Sequence, residues 1–183
     1  PLFTKALEVS RRSKGEEHPD TLIYINNLAI LYARQGDYAR AESSFERVLE
    51  VRERVLGEAH SYTLTSMNNL AALYRNIGKY GLAEPLQNRA WEIQRRVLGN
   101  EHPDTLLSMH NLSGLYRAQG KFTEAESLQK GALDIRRRVL GERHPDTLNS
   151  MHGLSLVFLG KRQYPEAESL LNQVLERRRQ VLG

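Results

Sequence analysis

The chain has 183 residues, 26 Lys+Arg against 22 Asp+Glu for a formal net charge of +4, 40% hydrophobic residues and no cysteine. Without cysteine there can be no disulfide, thiol nucleophile or cysteine-based zinc site. No apolar run approaches the about 18 residues that cross a bilayer, and the N-terminus lacks a signal-peptide pattern, so a cytoplasmic protein with no membrane partner is expected.

In chain order, residues 1–17 read as a helix, Pro1 to Lys14, and a short linker. A second stripe follows at Leu22, Ile25, Leu28, Leu31 and Tyr32, which is helical spacing from Asp20 to about Arg34. Asp20 stands where a carboxylate can cap the first N–H groups, and Pro19 restricts His18 to extended backbone. Gly36 stands where a helix C-terminus needs a left-handed residue. The next helix is predicted from about Tyr38 to Leu56, with Tyr38, Ala41, Phe45, Val48, Leu49, Val51, Val55 and Leu56 on its apolar face and Gly57 ending it.

This helix pair recurs. His18-Pro19-Asp20-Thr21-Leu22 returns as His60-Ser61-Tyr62-Thr63-Leu64, His102-Pro103-Asp104-Thr105-Leu106 and His144-Pro145-Asp146-Thr147-Leu148, at a fixed period of 42 residues. The period predicts units at 18–59, 60–101, 102–143 and 144–183, preceded by the second helix of a truncated unit at 1–17, stacked as one continuous solenoid of nine helices. Ala41, Ala83, Ala125 and Ala167 would let paired backbones approach, opposite Tyr32, Tyr74, Tyr116 and Phe158. Three departures carry expectations. Arg162 occupies the turn position of Gly36, Gly78 and Gly120 with Gly160 just before it, so the fourth first helix should end early. Pro85 should bend its helix. Gln87 and Gln129 replace Phe45, which should bring that position nearer the surface. The chain starts at Pro1 within one unit and stops at Gly183, where a further histidine box would be due, as expected of a piece of a longer array.

Leu28-Ala29, Tyr32, Gly36, Tyr38, Ala41 and Val48, repeated at this period, resemble the tetratricopeptide motif, whose usual unit has about 34 residues. The longer unit, with Asn26-Asn27-Leu28-Ala29 and the Val55-Leu56-Gly57 linker, is similar to repeats of kinesin light chain and of arrays attached to nucleotide-binding signalling ATPases. The resemblance implies an all-α, right-handed superhelix of antiparallel helix pairs, with first helices lining a concave face.

Few residues suggest chemistry. Four box histidines, one per unit, would lie on the order of 10 Å apart, too far to share a metal ion, and are better read as bonding the preceding helix end. No phosphate loop, His-Glu-x-x-His pair or nucleophile elbow is present, so neither enzymatic activity nor a cofactor is expected. Glu42, Glu84, Glu126 and Glu168 recur beside the packing alanines as a solvated face. The runs Arg95-Arg96, Arg136-Arg137-Arg138 and Arg177-Arg178-Arg179 suit helix C-termini, with Glu50, Glu92, Asp134 and Glu176 placed for pairing. Nucleic-acid binding would need interleaved stacking aromatics, and none is expected.

Asparagine is a poor helix former, yet Asn26 and Asn27, Asn68 and Asn69, then His110 and Asn111 recur in one register, followed by His152 and Gly153. An amide that both donates and accepts can hold the backbone of an extended peptide. The resemblance implies that role for Asn27, Asn69 and Asn111. The alternative is a helix-to-helix bond within the stack. Arg34, Arg75, Asn76 and Arg117 lie two turns on and suit an acidic peptide or a free carboxylate. The sequence thus points to a protein-interaction adaptor holding a partner's peptide, the alternatives being a sensor or oligomerising arm of a signalling ATPase, or a structural spacer. Leu2, Phe3, Leu7 and Val9 at one end, and Leu170, Leu171, Val174 and Leu175 at the other, suggest weak end-to-end self-association.

Overall fold

The computed structural model describes residues 2–182, and every regular element among them is an α-helix. Helix α1 (Leu2–Lys14) precedes four pairs in sequence: α2 (Pro19–Arg34) and α3 (Tyr38–Leu56), α4 (Ser61–Asn76) and α5 (Tyr80–Leu98), α6 (Pro103–Ala118) and α7 (Phe122–Leu140), α8 (Pro145–Gly160) and α9 (Tyr164–Leu182). The chain divides into two compact units, 1–86 and 87–183, with α5 contributing to both.

The histidine boxes are helix starts, but the capping residue is the histidine and not the aspartate. His18, His60, His102 and His144 are extended, and each ring Nδ1 accepts the backbone N–H two residues on, at 3.2 Å in all four. Proline at the first helical position favours this in three units by keeping the preceding residue outside the helical region, with Asp20, Asp104 and Asp146 in the first turn, and His60 caps its helix in the same way before Ser61. The imidazole therefore serves the helix that follows, not the one before. Thr21, Thr63, Thr105 and Thr147 have no exposure at all, and Leu22, Leu64, Leu106 and Leu148 are 2–4% exposed.

In the first unit α1 packs on α2, α2 on α3 and α3 on α4. Its core gathers Leu7, Leu22, Ile25, Leu28, Val48 and Val51, with Tyr24 and Tyr32 against them. In the second unit α6, α7, α8 and α9 pack in succession, around Leu133, Leu148, Met151, Leu154 and Val174. The four alanines Ala41, Ala83, Ala125 and Ala167 are fully buried, so the close approach is real. Leu31, Tyr38 and Val55, read as part of the buried stripes, are instead 39–51% exposed. The side chains of Leu2 and Phe3 lie outside the described residues.

Each second helix is fastened to the following first helix by a buried polar contact. Arg52 donates to the Ser66 hydroxyl at 2.8 Å and the Tyr62 carbonyl at 3.1 Å, Arg136 donates to Ser150 at 2.5 Å, and Ser108 donates to Gln94 in the same register. Burial pushes the Arg52 and Arg136 guanidinium pKa down. Arg136, expected as one of a run of helix-end arginines, is instead buried at 6% exposure in the seam. Several other arginines pair with carboxylates of the connecting loops: Arg47 with Glu16, Arg54 with Glu17, Arg138 with Glu101, and Arg137 and Arg177 with Glu142. The loops lie against the ends of these helices, where Glu50, Glu92, Asp134 and Glu176 had been expected.

Two more expectations change. Helix α8 has the same 16 residues as α2, α4 and α6, because Arg162 itself adopts the left-handed turn conformation at φ 61°. Glu42 and Glu126 are not merely solvated: Glu42 accepts from Lys79, and Glu126 accepts from Lys130 and Lys161 at 2.6 Å each. Those two hydrogen-bonded ammonium groups hold the Glu126 carboxyl below its ordinary range.

Two stability effects follow. Arg162→Gly removes a left-handed non-glycine residue from a turn, and should raise the urea midpoint by an amount equivalent to roughly 1 kcal/mol at unchanged slope. For Glu126 the folded-state pKa is depressed, so its stabilisation is present above the unfolded carboxylate pKa and disappears as pH falls through the folded value. Glu126→Gln should cost of order 1 kcal/mol near neutral pH, and denaturation of both proteins across pH should show the difference closing in acid.

Candidate functional site

The two polar registers of the first helices separate in their environments. In the first unit Asn26, on α2, is buried at 9% exposure, and its carbonyl oxygen accepts an N–H of Asn69, on α4, at 3.0 Å. This is the helix-to-helix bond weighed as the alternative above. It uses one donor of Asn69 and leaves the second N–H and the carbonyl oxygen available. Asn27 and Asn68 are part-buried, and Asn68, like Arg75, is engaged within the fold.

Asn69 also lines a cavity of about 320 Å³ between α2, α3 and α4, and Arg34 and Asn76 line it too. The structure thus brings together three of the residues singled out from sequence. Its apolar wall comes from Ile30 on α2, Leu73 on α4, and Tyr38 and Phe45 on α3, the last two read from sequence as packing residues. Phe45 is 3% exposed and forms part of a firm floor, whereas Tyr38 stands 45% exposed at the edge. No carboxylate lines this cavity. Among the described residues Arg34 has no ion-pair partner, so the rim carries an uncompensated positive charge.

In the second unit the same registers are filled differently. Gln129 takes the place of Phe45, yet it is 1% exposed, and Gln87 is 4% exposed, so neither lies near the surface as expected. The amide of Gln129 donates to the Ser150 carbonyl at 2.9 Å and to Nδ1 of His110 at 3.3 Å. Since an amide NH₂ can only donate, His110 presents an unprotonated Nδ1 here. Gly153, in the asparagine register, makes this possible: a Cβ there would lie 2.5 Å from the Gln129 nitrogen and 3.1 Å from the His110 ring. Asn111 is part-buried, and Arg117 and His152 are exposed.

No group of three His, Cys, Asp or Glu residues among those described is placed to hold a metal ion. No helix among them is long and apolar enough to cross a membrane.

The chain matches the tetratricopeptide repeat family over residues 1–54, 23–91, 62–130 and 110–180. Among curated proteins none matches it. Among solved structures, it resembles a Podosopora anserina protein named for kinesin light chain and carrying nearly identical TPR-like repeats. That likeness has 29% identity over 98% of this chain and 85% of the other, with a TM-score of 0.82. A variant of the same protein gives a TM-score of 0.85 at 29% identity, over 99% and 85%. BtubC (BKLC) from P. vanneervenii shares the fold at 23% identity and a TM-score of 0.81, over 100% of this chain and 72% of that one. Repeats of this kind build non-catalytic protein-interaction scaffolds in an all-α solenoid, and with four overlapping matches along its length this chain belongs to the tetratricopeptide repeat family.

Proposed function

We propose that the chain is a cytoplasmic adaptor that holds an extended segment of a partner protein along the exposed faces of its first helices, in a concave groove of the kind the family forms. The observation that carries this reading is the cavity of the first unit. It combines an apolar wall with amides that retain hydrogen-bonding capacity and with an unpaired arginine, which together suit a peptide bearing a carboxylate. Asn27, Asn69 and Asn111 would contact the peptide backbone, with Arg34, Asn76 and Arg117 on the side of its acidic groups. The burial of Asn26 favours a second reading, a structural spacer, for that residue's register.

Peptides selected from a random display library against the chain test the adaptor reading. Selected sequences should be enriched in Asp, Glu or a free C-terminus. Asn27→Ala with Asn111→Ala should weaken their binding by roughly 1–3 kcal/mol, the cost of leaving peptide polar groups unpaired, with little change in melting temperature. Asn69→Ala should also lower the melting temperature, because it strands the buried Asn26 oxygen. Failure to select any binder, or binding indifferent to the double substitution, contradicts the reading.

Weak self-association is part of the same proposal. Val9 and Leu175 are 67% and 54% exposed, whereas Val51 and Leu133 in the same registers are 7% and 2% exposed. Light scattering over a wide concentration range should show a rising mean mass that Leu175→Lys suppresses. A constant monomer mass would contradict it.

A further inference from the structure

The four histidine caps are alike in the bond they make and unlike in what stands beside it. In each, the ring Nδ1 accepts a backbone N–H at 3.2 Å, so that nitrogen carries no proton while the cap is made. A proton added there turns the acceptor into a donor facing another donor, and the cap is lost. At His18, His102 and His144 the capped residue is an aspartate, whose Oδ2 lies 3.8–3.9 Å from the same Nδ1. A charged imidazole can turn its new N–H to that carboxylate, and the ion pair replaces the bond that the proton removes. At His60 the capped residue is Tyr62. Its ring lies 5.4 Å from the imidazole and already carries the Arg52 guanidinium of α3 at 5.3 Å.

The surroundings of His60 offer a charged ring little else. The first turn of α4 has no acidic residue, and in the loop before it Ala59 stands where Glu17 and Glu101 precede two of the other boxes, while Glu58 is already engaged. On α3, Arg54 is paired with Glu17 and Glu53 is engaged too, and on α5 the registers of Arg47 and Arg54 hold Arg89 and Arg96. Ser61 replaces the proline that starts α2, α6 and α8, so nothing pre-sets the helical start once the cap goes. His60 is exposed, whereas the other three box histidines are half-buried. We propose that the start of α4 is an acid-sensitive joint: a proton on His60 uncaps α4 and loosens its seam with α3, while the same proton on His18, His102 or His144 is taken up by the adjoining aspartate. The loosening reaches the seam because Arg52 donates to the Tyr62 carbonyl at 3.1 Å as well as to Ser66, so a frayed first turn removes one of two acceptors from a buried guanidinium. Because the cap needs the neutral imidazole, its contribution is present in neutral solution and is lost as pH falls through the range in which imidazole charges, about pH 8 to 5.

Hydrogen exchange of the whole chain read by NMR, with rates corrected for the intrinsic effect of pH, tests this. Lowering the pH from about 7.5 to about 5.5 should increase opening of the Tyr62 to Ser66 amides about fivefold, the size of a lost N-cap, and change the first turns at Asp20, Asp104 and Asp146 less than about twofold. Carboxylates stay ionised over that interval, so the loss expected at Glu126 falls outside it. His60→Asn, whose amide caps a helix without titrating, should keep the protection at the higher pH and abolish the change. Tyr62→Asp, which supplies the missing carboxylate, should flatten the change as well, and covers the case in which the first variant fails to fold. Equal increases at all four helix starts, no increase at α4, or an increase that persists in either variant that folds would overturn the proposal.

Discussion

A helix pair of this size has two apolar sides and can cover only one of them with itself, so each pair must be covered by a neighbour. The seam between a second helix and the next first helix is where this happens. It is also where the histidine box sits. The box places a fully buried threonine and a nearly buried leucine against the preceding helix, and starts the new helix with an imidazole cap. A buried arginine or glutamine then reaches across to a serine one turn further on. An uncapped helix start or an unpaired guanidinium at this depth would cost more than most surface interactions return. The box and its serine are thus structural, and their repetition says nothing of catalysis.

Once the seams fix the first helices, the residues on their remaining faces are free to differ, and the differences determine what each unit can hold. Asparagine at residue 69 bonds its neighbour and still offers a donor and an acceptor, whereas glycine at residue 153 yields its space to Gln129. Glycine at residue 160 likewise leaves its space to the Phe122 ring, whereas Asn76 and Tyr38 both line the first unit's cavity. The backbone is shared and the chemistry is not.

Much of the fold was legible because its signals are local and repeated: a helical stripe, a box and a turn glycine, four times over. What could not be read came from contacts between distant positions. Gln129 looked like a surface residue because polarity alone gives no hint of the Ser150 carbonyl waiting for its amide. Gly160 looked like a helix stop because glycine is the usual turn residue, and nothing in the sequence places the Phe122 ring beside it. Arg136 looked exposed among its arginine neighbours because the serine that satisfies it lies 14 residues away. In the candidate site the asparagines and Arg34 stood out by register, while Phe45, Ile30 and Leu73 were indistinguishable from core until the cavity placed them at its wall.

Hydrogen exchange of the chain with and without a saturating library peptide tests the central claim most directly, because it reports where along the solenoid the partner lies without altering any residue. The account predicts added protection in the second halves of α2 and α4, around Asn27 to Arg34 and Asn69 to Asn76, and much less around Gly153 to Gly160 in α8. Protection confined to the second helices, or concentrated on α8, would contradict it.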